Sequence, residues 1–120
     1  METSQLDIFT PSRSRTPVEI AQANASQFSL EFLEWLPINA HIWYAFENEA
    51  LNVIERGYKH YSSRTIIEFL RHHSTLEEVE GEFKINNNIQ PYLPRLFDLT
   101  YPSRAGLFEY RVTTKEKGIA

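Results

Sequence analysis

The sequence predicts a mainly α-helical domain closed by a small antiparallel β wing, in helix-turn-helix or winged-helix order. Three observations predict it. Trp43, Phe46, Ala50, Val53 and Ile54 recur at helical spacing and stop before Gly57, which marks an amphipathic helix with a left-handed C-cap. Two further apolar sets each follow cap residues: Ile66, Ile67 and Leu70 after Ser62-Ser63, and Leu93, Leu96 and Phe97 after Asn86-Asn87-Asn88. Phe108, Tyr110 and Val112 then alternate with Glu109, Arg111 and Thr113, the period of a half-buried strand.

Length and composition bound the classes. The 120 residues make one domain with some chain to spare. Two Trp, six Tyr and eight Phe supply a core and argue against disorder throughout. Cysteine is absent, which excludes a disulfide scaffold, a Cys-based zinc site and a thiol nucleophile, and fits a reducing cytoplasm. No apolar run approaches the length of a membrane span, and the N-terminus has no secretion-signal pattern. Net charge is −4 but divided: residues 1–55 carry two Arg against eight acids, and residues 56–120 carry ten Lys and Arg against eight acids. Four of the latter acids cluster at Glu77, Glu78, Glu80 and Glu82, so the rest of that half is basic. Most dedicated DNA binders are basic overall, which weighs against a purely nucleic-acid role.

In chain order, residues 1–25 read as a flexible N-terminal arm. Thr10-Pro11-Ser12-Arg13-Ser14-Arg15-Thr16-Pro17 mixes breakers, hydroxyls and cations with almost nothing apolar, and cannot offset its ordering entropy by burial. A single domain is expected over residues 26–113. Phe28, Leu30, Phe32, Leu33, Trp35 and Leu36 form a short helix, capped by Ser26 and ending before Pro37, or else an exposed aromatic patch for dimerisation. Asn39 caps the amphipathic helix, with Glu47, Glu49, Asn52 and Glu55 between its apolar positions. In the next helix Arg64, Glu68, Arg71 and His72 face outward. Glu68 and His72 can meet four residues apart, but the sequence presents no further metal ligands. Leu76 to Glu82 is an acidic linker, and Phe83-Lys84-Ile85 is the first wing strand. Asn87 with Gln90 resembles a capping box. The helix after it either starts near Tyr92 or is kinked at Pro94. Tyr101-Pro102 ends it, Ser103 to Gly106 turns, and Leu107 to Thr113 is the second wing strand. Residues 114–120 are a frayed tail.

His60-Tyr61-Ser62-Ser63-Arg64-Thr65-Ile66-Ile67-Glu68, Phe83-Lys84-Ile85-Asn86-Asn87-Asn88, Arg95-Leu96-Phe97 and Gly106-Leu107-Phe108-Glu109-Tyr110-Arg111 carry a resemblance. Over residues 40–112 the chain resembles a group of small uncharacterised proteins of bacteriophage and prophage genomes. The resemblance implies a phage-encoded protein of the host cytoplasm and assigns no activity. Pro94 departs from the group's pattern, which has a helix-compatible residue there.

Two functions follow from the residues. In the first, the protein binds nucleic acid, duplex DNA above all, weakly or as a homodimer, in phage regulation or accessory work. The helix after the Asn run would lie in the major groove. Asn87, Asn88, Gln90 and Arg95 would reach base edges, since Asn and Gln suit adenine and Arg suits guanine. Lys59, His60, Arg64, Lys84, Arg104 and Arg111 would contact phosphates. In the second, an acidic interaction module binds and modulates a host protein, for example a defence or DNA-processing protein, without nucleic acid. Its acidic surface would engage a basic one, with Phe28 to Trp35 as the anchor. Catalysis is not expected: no phosphate-binding Gly-rich loop, nucleophile motif or metal-ligand spacing occurs, and no cofactor is implied.

Overall fold

A computed structural model describes residues 15–73 and 87–108 of the chain. They form five α-helices: α1 (Pro17–Ala23), α2 (Leu30–Ile38), α3 (Ala40–Glu55), α4 (Ser63–His73) and α5 (Tyr92–Thr100). Single 3-10 turns occupy Ala25–Gln27 and Pro102–Arg104. Helix α3 packs on each of the other four, and α1 also packs on α2 and α5.

The first helix lies inside the span expected to be a mobile arm. Thr16 starts it with a reciprocal capping box: its Oγ1 accepts from the Glu19 N–H at 3.1 Å, and the Glu19 carboxylate accepts from the Thr16 N–H at 3.0 Å. Pro17 occupies the first helical position, where a missing N–H costs nothing. Ile20 and Ala21 are buried in the core, so this helix, capped by Thr16, packs with the domain expected to start at residue 26. Residues 1–14, and the tail at 114–120, lie outside the described residues.

Helix α2 is capped by Ser29, not Ser26: the Ser29 Oγ accepts from the Phe32 N–H at 3.1 Å. It runs through Pro37 to Ile38, because in a last turn the proline forfeits only its own bond to an earlier carbonyl. Asn39 separates α2 from α3 as expected, but its side chain caps backwards, with Nδ2 donating to the Trp35 carbonyl at 3.2 Å. The aromatic segment is core rather than a dimerisation patch. Phe32 is fully buried, stacks on Phe28 and Trp35, and meets Tyr92 of α5 at 5.5 Å between ring centroids.

Trp43, Phe46, Ala50 and Val53 are buried on α3, as their spacing requires. Ile66, Ile67 and Leu70 are buried on α4. Helix α5 begins at Tyr92, which settles the alternative left by Pro94. That proline sits in the first turn, whose N–H groups lack intrahelical acceptors. Its N-cap is Pro91, with no side-chain capping bond, so the Asn87–Gln90 capping box is not the start of this helix.

The helical class stands, but no strand forms among the described residues, and the expected wing is not supported. Phe83-Lys84-Ile85 and residues 109–113 lie outside the described residues. Leu107 and Phe108 meet Tyr61 instead, through an isolated parallel bridge. Burial explains the difference. Leu107 and Phe108 are consecutive and both buried, which the alternation of a half-exposed strand forbids. Phe108 lodges between Phe46 and Phe97, with ring centroids 5.5 and 5.6 Å away.

Candidate nucleic-acid interface

The site is a junction between two turns far apart in sequence. The first leaves α3. Gly57, at φ +99°, supplies the left-handed residue of a complete Schellman motif: its N–H donates to the Ile54 carbonyl at 2.9 Å, and the Tyr58 N–H donates to Val53 at 3.3 Å. Any residue with a Cβ would be strained there. The second turn leaves α5 through Pro102–Arg104 and reverses at Gly106, φ +107°. Phe108 roots it in the core.

Two hydrogen bonds join the turns. The Tyr61 N–H donates to the Leu107 carbonyl at 2.8 Å, and His60 Nδ1 donates to the Gly106 carbonyl at 3.3 Å. The Tyr58 ring meets Tyr61 edge-on, centroids 5.0 Å apart, and stays 51% exposed. Ser62 starts α4, its Oγ accepting from the Thr65 N–H at 3.4 Å. The positive end of the α4 dipole therefore adds to the local field.

Lys59, Arg64 and Arg104 each lie within three residues of the Tyr61–Leu107 bond, and all three are exposed. Among the described residues none of the three makes an ion pair. By contrast Arg56 lies 3.6 Å from Glu49, and Arg71 lies 2.8 Å from Glu68, which also meets His72 at 3.5 Å. Residues 16–55 contain six acids and no Lys or Arg. The described residues from Arg56 onward hold six Lys and Arg against Glu68 and Asp98. Among the described residues the junction thus lies in the positive part of the chain.

No known protein family, curated protein or solved structure matches this chain.

Of the residues expected at phosphates, Lys59, His60, Arg64 and Arg104 lie on or within three residues of the two hydrogen-bonded segments, while Lys84 and Arg111 lie outside the described residues. The residues expected to read bases fare differently. Asn87 and Asn88 are exposed on the turn before α5, but Gln90 and Arg95 are partly buried, and the Arg95 Nε is enclosed. No residue of α5 is exposed, because Leu93, Pro94, Leu96, Phe97 and Thr100 are buried and the other four are partly covered. A groove-reading helix needs an exposed polar face, and α5 is built as a core helix.

The pattern of helices and caps in the sequence does not single out Tyr58, which falls between Gly57 and Ser62. The available signal was an aromatic between a glycine and a Lys-His pair, the interleaving of ring and charge found where nucleic acid is bound. Nor does that pattern single out the buried Glu47, whose carboxylate accepts a 2.7 Å hydrogen bond from the Tyr101 hydroxyl.

Proposed function

We propose that the chain is a small phage-encoded accessory protein that binds nucleic acid through its phosphates, at the junction of the 57–62 and 102–108 turns. The observation that carries this is that Lys59, Arg64 and Arg104, exposed and without an ion pair among the described residues, each lie within three residues of one hydrogen-bonded crossing. Cations that make no ion pair inside the protein forgo no internal bridge when they meet a phosphate. The two guanidinium groups suit bidentate contact, and the ammonium adds a mobile point charge. The phage origin is supported by the sequence resemblance alone.

The test is fluorescence anisotropy with random-sequence DNA at low and then physiological salt. Affinity should fall with salt, with a log–log slope of about −0.7 to −0.9 for each phosphate contact. Lys59→Gln, Arg64→Gln and Arg104→Gln should each weaken binding to all sequences alike and make the slope shallower by about one contact. Absence of binding at low salt, or a triple variant that binds like the wild type, overturns the reading.

A second reading has its own observation. The outer face of α2 exposes Leu30 (70%) and Ile38 (58%) beside the exposed Glu31 and Glu34, within the cation-free run 16–55. An acidic face with apolar anchors suits a basic protein surface of the host. If this face is the functional one, Leu30→Asp with Ile38→Asp abolishes host-protein association and leaves DNA affinity unchanged.

A further inference from the structure

We infer that the junction takes a single strand rather than a duplex, with Tyr58 as the platform on which a base stacks. The inference rests on the nucleic-acid reading above and specifies its ligand.

Tyr58 is one of few large apolar side chains left mostly outside the core. Its position is nonetheless fixed. Behind it, the Schellman motif holds its backbone N–H to Val53. Ahead of it, His60 and Tyr61 are tied to Gly106 and Leu107. The edge-on contact with Tyr61, which packs against the core, sets the ring from one side. An exposed ring held this way needs little further ordering when a base settles on it. Lys59 follows directly in the chain, and Arg64 and Arg104 each lie three residues from an end of the Tyr61–Leu107 hydrogen bond, so the segments around the ring carry cations for the phosphates of a stacked strand. Ring and charge together are the recurring elements of single-strand recognition.

A duplex cannot use this ring without unstacking, because its bases already cover one another. The element expected to enter a major groove, α5, has no exposed residue. The features that suit a duplex are therefore the weaker ones here, and the feature that suits an open strand is an exposed ring in contact with Tyr61 of the junction.

The experiment compares a fluorescent thymidine oligomer, a duplex of equal length and an abasic oligomer of equal length, at one moderate salt concentration. The thymidine oligomer should bind at least about tenfold more tightly than the duplex. Tyr58→Ala should weaken it by about 5- to 150-fold, the range for one lost stacked base. Tyr58→Phe keeps the ring face and should bind nearly like the wild type, which separates stacking from damage to the fold. The abasic oligomer should bind the wild type about as weakly as the thymidine oligomer binds Tyr58→Ala. If Lys59→Gln and Arg104→Gln weaken binding but Tyr58→Ala does not, or if the duplex binds equally well, this inference is overturned and phosphate binding survives. If the charge variants change nothing, both fall.

Discussion

Glu47 shows what a single residue does in this core. It is 5% exposed, and the Tyr101 hydroxyl donates to it at 2.7 Å from 54 residues away, joining α3 to the end of α5. A buried carboxylate that loses a donor retains its desolvation cost. Tyr101→Phe should therefore lower stability by about 1.5–3 kcal/mol in urea denaturation. A double-mutant cycle with Glu47→Gln should give a coupling of at least about 0.5 kcal/mol, and additive single effects would dissociate the two groups. The position was legible: Glu47 lies four residues after Trp43 and three before Ala50, on the apolar stripe itself. Its charge hid it, because spacing and residue type disagreed. Tyr101 had no such signal, since nothing local announces a partner so far along the chain.

At the scale of elements, what was legible depended on whether local signals agreed. Helix α3 joins a full apolar stripe to a terminal glycine, and both point to the same boundaries. Helix α1 is seven residues long, and its Pro, Ser and Arg surroundings read as a tail. Yet Thr16-Pro17-Val18-Glu19 is a capping box with proline at the first helical position, and that pattern was present in the sequence. Thr16→Ala should cost about 0.5–2 kcal/mol. Ile20→Ala should cost about 2–5 kcal/mol, as for any large-to-small change in a core. Unchanged denaturation midpoints for both would return residues 16–23 to the status of an arm. The wing is not supported among the described residues for the opposite reason: alternation from Phe108 to Thr113 suggested a strand, while the buried pair Leu107-Phe108 packs into the core. Helix α5 kept its expected apolar positions, but packing on both α1 and α3 leaves it no outward face.

Across the whole molecule, the division of charge was legible as composition, whereas its gathering into one place was not. Lys59, His60, Arg64 and Arg104 were legible as candidates by type, but only two long-range hydrogen bonds bring their segments together. The same division decides where a protease can act. Trypsin cuts after Lys and Arg, so it has no site from Thr16 to Glu55, and α1, α2 and α3 share one uncut fragment ending at Arg56. Among the described residues its exposed targets are Arg15 and Arg56 together with Lys59, Arg64 and Arg104, and the last three are the proposed ligand contacts. A bound strand should slow those three cleavages while leaving the cut after the exposed Arg15 less affected, as followed by intact-mass spectrometry over a brief digestion. The protein thus carries its own footprinting reagent sites, placed by its charge segregation where occupancy is to be read.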